Sequence, residues 1–189
     1  MESVLNNIKL KFDNDGFIVN ENLINQVDLE AIEKWISELN DSKEVNHHYE
    51  KTVNGKVLSR TENFVSSHTS FREFLLSSSI KDYLTMLFDD EPILFKEKIN
   101  YKYPGGAGYA PHQDAPAYPF GKKHITMLLA IDDSDINNGC LEFARGRNNE
   151  GIINIDEKGC IDSLTAEKFV WEKIPCLLYT SPSPRDSSE

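Results

Sequence analysis

The order of sequence periods predicts a mainly β fold with flanking helices, an α+β arrangement in which short strands build a sandwich or barrel core. Three observations carry this. Apolar residues recur at helical spacing before residue 89, the period falls to two after Pro92, and turn signals such as Asn137-Asn138-Gly139 then separate short apolar runs.

Leu29, Ile32, Trp35, Ile36 and Leu39 alternate with Glu30, Glu33, Lys34 and Glu38, so residues 27–39 read as an amphipathic helix with one buried face. Residues 40–67 are polar and read as a loop. Phe71, Phe74 and Leu75, then Ile80, Tyr83, Leu84 and Leu87, give one or two further helices within 70–88. In residues 93–103 Ile93, Phe95, Ile99, Tyr101 and Tyr103 stand among Lys96, Lys98, Asn100 and Lys102, the pattern of a strand. Pro104-Gly105-Gly106 turns the chain, and residues 109–114 resume an extended path. Residues 125–131 form a compact apolar strand between Lys122-Lys123 and Asp132-Asp133. After the Asn-Asn-Gly turn come a short strand over 140–144, a helical turn over 163–168 and an alternating strand over 169–174.

The chain has 189 residues, 39% of them hydrophobic, with 20 Lys+Arg against 31 Asp+Glu for a net charge of −11. That is the profile of one soluble domain, expected over 1–175, and its charge repels a polyphosphate backbone, so nucleic acid is not an expected partner. No apolar run approaches the roughly 20 residues of a bilayer helix and residues 1–10 lack the order of a secretory signal, so the expectation is a cytoplasmic protein with no membrane partner. Cys140, Cys160 and Cys176 show no CxxC spacing, which fits reduced thiols better than a disulfide framework or a zinc knuckle. Residues 176–189, CLLYTSPSPRDSSE, break the alternating pattern and resemble translated sequencing-library adapter DNA, so they are expected to be a non-native tail.

His112-Gln113-Asp114 is the most informative tripeptide. On an extended chain residues i and i+2 share a side, so an imidazole and a carboxylate converge while Gln113 points away. With a second histidine such a pair makes the 2-His-1-carboxylate triad that holds Fe(II) and leaves positions open for a cosubstrate and oxygen. The same triplet also serves as a plain surface hydrogen-bonded pair, and the tripeptide alone does not separate the two.

The surrounding text separates them. KINYKYPGGAGYAPHQDAPAY followed by HITMLLAIDDSDINNGCLEFARGRN resembles the phytanoyl-CoA dioxygenase family of Fe(II)- and 2-oxoglutarate-dependent oxygenases, and FDNDGFIVNENLI is similar to that family's N-terminal opening. The likeness spans residues 12–175. It implies a double-stranded β-helix (a cupin-like jelly roll), with iron at its mouth, 2-oxoglutarate and O2 as cosubstrates, and hydroxylation of a small-molecule substrate. His112 and Asp114 match the iron-binding histidine and carboxylate. Asn100 matches an asparagine that contacts 2-oxoglutarate, Gln113 is placed to brace the site and Thr126 to hydrogen-bond the cosubstrate, while Lys98 is a candidate for an anionic substrate group. The motif variants look more like bacterial branches acting on small polar metabolites, 2-aminoethylphosphonate among them, than like the acyl-CoA enzyme.

Two family features are missing. A second iron-binding histidine and then an arginine that clamps 2-oxoglutarate are expected after the 169–174 strand, and neither is present in the sequence. His124 opens the 125–131 strand and reads as a surface residue or a neighbour of the site rather than the missing ligand, while Arg145 and Arg147 belong to a turn. The jelly roll is therefore expected to be incomplete at its C-terminal end, and this chain to be a fragment that binds Fe(II) poorly. The alternatives to an oxygenase are a non-catalytic jelly-roll binding module or inactive fragment, and, ranked last, hydrolysis at a Zn(II) ion.

Overall fold

The structure, a computed structural model, describes residues 2–53, 55–104, 108–118 and 123–176. The Gly105-Gly106 turn, Lys122 and residues 177–189 of the expected tail lie outside them. Five helices and five strands are described, and helical residues outnumber strand residues, so the β content is lower than periodicity predicts.

Helix α1, Glu2–Asp15, precedes the first helix expected from the sequence. It ends at Gly16, whose φ of +82° suits the glycine that follows a helix, with Gly16 N–H donating to Phe12 O at 2.9 Å. The carbonyls left over at this end are answered from far away: Asn148 and Asn149 donate to Asp13 O at 3.0 and 3.1 Å, and Gly146 N–H to Asp15 O at 2.8 Å. This settles the turn's work. Arg145 forks onto Glu172 at 2.8 and 2.7 Å, also reaches Asp15, and lies 4.7 Å over the Phe17 ring.

Helix α2, Gln26–Asn40, matches the expected 27–39 and starts where Asn25 Oδ1 accepts from Asp28 N–H at 2.9 Å. Its Ile32 and Leu39 join Val45, Phe64 and Phe71 in the main apolar cluster, with Trp35 and Phe74 alongside. Helices α3, Thr69–Leu75, and α4, Ser78–Phe88, fill the expected 70–88. His68 caps α3: Phe71 N–H donates to its Nδ1 at 3.1 Å, so the proton sits on Nε2, 3.0 Å from Glu38 Oε2.

The expected loop over 40–67 contains a β-hairpin instead. Strands β1, Asn46–Thr52, and β2, Gly55–Glu62, pair antiparallel, and β3, Lys98–Asn100, joins β2 to make a three-stranded sheet. The hairpin carries no apolar signal because its side chains are mostly polar and only part-buried or exposed; only Thr61 is fully buried. Thr61 is satisfied there by His47 Nδ1 at 3.0 Å and Tyr101 Oη at 3.3 Å. The expected strand over 93–103 shrinks to three residues, since alternation marks an extended chain but only a paired neighbour makes a ladder.

The apolar run 125–131 is likewise no strand: it contributes Leu129 and Ile131 to the main cluster by side-chain packing, with no ladder among the described residues. Strands β4, Leu141–Ala144, and β5, Trp171–Ile174, form the second sheet as an antiparallel pair, in register from Leu141 opposite Ile174 to Ala144 opposite Trp171. Helix α5, Ser163–Ala166, is the expected helical turn. Among the described residues no helix is long and apolar enough to cross a membrane.

Candidate active site

The stretch from β3 through residue 114 carries the candidate site. His112 Nδ1 lies 2.8 Å from Ala110 O. A carbonyl only accepts, so Nδ1 holds a proton, and in the neutral imidazole Nε2 is then the nitrogen with the lone pair. That Nε2 faces Asp114 Oδ1 at 3.6 Å. The second oxygen, Oδ2, accepts from Thr126 Oγ1 at 2.6 Å, which fixes the carboxylate plane. Both side chains stay accessible, at 44% and 38% exposure, so a cation and its other ligands can reach them.

The donors fit a metal. One nitrogen and one oxygen 3.6 Å apart suit a cation whose bonds to each are about 2.1 Å. The imidazole carries its proton on the far nitrogen and the carboxylate is held by a hydroxyl, the usual arrangement of outer partners around metal ligands. Among the described residues no third His, Cys, Asp or Glu joins them.

Gln113 points to the other side, as the i, i+2 rule requires. Both ends of its amide are used on one backbone segment: Nε2 donates to Gly151 O at 3.0 Å and Oε1 accepts from Ile153 N–H at 2.8 Å. Ile161 N–H donates to Pro111 O at 2.8 Å, so residues 151–161 are tied to the segment 111–113 at two places. They form the opposite wall of a cleft of about 280 Å³ lined by Tyr109, His112, Gln113, Asp114, Lys158 and Cys160.

A second, smaller cleft of about 90 Å³ adjoins the first across Tyr109, and Asn100, Lys102 and Glu50 line it. Tyr109 Oη reaches Asn100 Oδ1 at 3.5 Å, which leaves the Asn100 amide N–H groups for a ligand.

The structure thus brings His112, Asp114, Thr126 and Gln113 into one place and sets Asn100 in the adjoining cleft. Thr126 spends its proton on Asp114 rather than on a cosubstrate. Lys98 lines neither cleft; it sits exposed at the start of β3, opposite Glu62 in the register. Burial pushes the Glu62 carboxyl up, but Lys96, Arg60 and His48 around it outweigh that and hold it below its usual range. His124 packs its ring 6.1 Å from that of Tyr118. Sequence reasoning missed Tyr109 and Lys158. Tyr109 lies three residues before His112 and was within reach of inspection, whereas nothing local to Lys158 points to a site 44 residues upstream.

The family model described as phytanoyl-CoA dioxygenase (PhyH) matches residues 12–172. The chain belongs to the phytanoyl-CoA dioxygenase family. The family and the names of its relatives indicate a dioxygenase-class oxidoreductase in the parent protein. It is 36% identical over 186 residues to a methylphosphonate hydroxylase of Gimesia maris, covering 94% of this chain and 72% of that protein. It is 35% identical over 174 residues to a 2-aminoethylphosphonate dioxygenase of an uncultured bacterium, covering 88% of this chain and 66% of the relative. Dioxygenase lolE1 of Epichloe uncinata is 31% identical over 150 residues, covering 76% of this chain and 58% of that one. The chain therefore spans roughly three-fifths to three-quarters of the length of these relatives. Among solved structures, AviO1 from Streptomyces viridochromogenes Tue57 superposes with a TM-score of 0.58 at 17% identity, over 91% of this chain and 79% of that one. That likeness concerns the fold alone.

Proposed function

We propose that this phytanoyl-CoA dioxygenase family chain carries the metal-binding half of an Fe(II)- and 2-oxoglutarate-dependent hydroxylase acting on a small phosphonate. The observation that carries the reading is the His112–Asp114 pair, with Nε2 freed by the Ala110 bond and Oδ2 held by Thr126. The likeness to a methylphosphonate hydroxylase and a 2-aminoethylphosphonate dioxygenase supports the substrate class.

His112 and Asp114 would hold the Fe(II), with the third protein ligand and the arginine for the far carboxylate of 2-oxoglutarate supplied from outside the described residues. The iron, when bound, supplies oxygen chemistry: one atom of O2 enters the substrate C–H bond as hydroxyl and the other enters succinate as 2-oxoglutarate loses CO2. The chain's own residues do the positioning. Asn100 donates its amide N–H to a 2-oxoglutarate carboxylate in the smaller cleft. Tyr109 separates the two clefts and holds Asn100. Gln113 keeps the wall of the larger cleft in place.

Succinate release from the full-length protein tests this with methylphosphonate, 2-aminoethylphosphonate and an acyl-CoA in parallel. Turnover of a phosphonate supports the reading, and turnover of the acyl-CoA alone overturns it.

A further inference from the structure

The geometry points to Lys158 as the residue that binds the anionic phosphonate head of the substrate, an inference that rests on the phosphonate-hydroxylase reading. Lys158 lines the cleft that contains His112 and Asp114. Its backbone is held in a tight turn: Asp156 Oδ1 accepts from Lys158 N–H at 2.8 Å and from Cys160 N–H at 2.9 Å, and Asp156 N–H donates to Cys160 O at 2.7 Å. Gly159 completes that turn at a φ of +79°, a conformation side-chain-bearing residues rarely adopt. An Ile155–Ile161 bridge closes its base.

This turn is not independent of the metal ligands. Ile161 N–H bonds Pro111 O, one residue before His112, and Gln113, between the two ligands, brackets Gly151 and Ile153. Lys158 and the ligand pair therefore sit in one hydrogen-bonded frame across one cleft.

Charge favours the assignment. A chain of net charge −11 repels an anion unless a local cation opposes that field, and Asp114 adds a negative charge inside the cleft. Lys158 is the lysine among the residues that line this cleft, and among the described residues no ion pair to a carboxylate is seen for it. The smaller cleft carries the same balance, Lys102 with Glu50, so what sets the larger one apart is that it also holds His112 and Asp114. Lys158 thus places the phosphonate head at the rim and turns the adjoining carbon toward His112 and Asp114.

The test is phosphonate affinity, read by calorimetry and by 31P line broadening on the full-length protein with 2-aminoethylphosphonate and with methylphosphonate. Lys158→Ala is expected to weaken binding roughly 10- to 100-fold, as for loss of a charge-assisted contact, while 2-oxoglutarate affinity stays within about twofold. Lys158→Arg should restore most of the affinity, and in turnover the loss should appear in KM more than in kcat. Unchanged phosphonate binding in Lys158→Ala, a loss that falls on 2-oxoglutarate instead, or a larger loss in Lys102→Ala overturns the assignment. Wild-type protein that oxidises another substrate and binds no phosphonate overturns the substrate reading, and this inference with it.

Discussion

The helical cluster around Phe71 and the cleft around His112 are stabilised by different forces. In the first, Ile32, Leu39, Phe64 and Phe71 are each at most 4% exposed, and Trp35 and Phe64 lie against the Phe71 ring at 5.4 and 4.6 Å. In the second the side chains are half open, and position comes from hydrogen bonds: His112 to Ala110, Thr126 to Asp114, Gln113 to Gly151 and Ile153. The apolar region holds the molecule together, and the polar region holds an arrangement of donors. Substitutions should therefore separate cleanly, with stability lost in one region and chemistry in the other.

The largest effect on stability is expected from Phe71→Ala, which removes a buried ring from the contact with Trp35 and Phe64 and should cost about 3–5 kcal/mol in urea unfolding. Asp114→Ala should leave that unfolding curve within about 1 kcal/mol of wild type and lower Fe(II) affinity of the full-length protein more than about 100-fold under anaerobic titration. Equal affinity in wild type and Asp114→Ala would remove the metal from this site. Thr126→Val keeps the ligand but releases Asp114 Oδ2, and the same titration should show a loss of about 10- to 100-fold. Gln113→Leu removes the tie to Gly151 and Ile153, and faster amide exchange at Ile153 is the expected signature, with exchange in α2 unchanged.

The smallest effect is a pH dependence. Asp135 accepts from the backbone N–H groups of Asn137 and Asn138 at 2.7 and 3.0 Å, which holds its carboxyl below the usual range. A carboxyl lowered in the folded state stabilises it above the unfolded value of about 3.9 and loses that contribution as pH falls toward the folded value. Glu62 acts in the same direction, through Lys96, Arg60 and His48. The urea midpoint of wild type should drop more steeply between about pH 5 and pH 3 than that of Asp135→Asn.

The two regions also differ in how far they could be read from the sequence. Helices α2 to α4 follow from apolar spacing, because residues three and four apart share a helix face whatever the rest of the chain does. The β1–β2 hairpin did not follow: with polar residues on both faces its period carries no apolar signal, and its pairing depends on strands meeting through a turn. Residues 93–103 and 125–131 erred in the opposite sense, their apolar patterns marking extended chain that mostly lacks a paired neighbour.

By itself the sequence determined the closeness of His112 and Asp114 and the helices α2 to α4. His112 and Asp114 are two residues apart in the chain, so their approach to 3.6 Å is a local fact, and the motif around them carried the family resemblance. Tertiary structure decided what surrounds that pair. Thr126 reaches Asp114 across 12 residues, Gln113 reaches Ile153 across 40, and the turn at 145–149 caps α1 across more than 130. Contacts at those separations depend on the path of the chain between them, and no local period encodes that path.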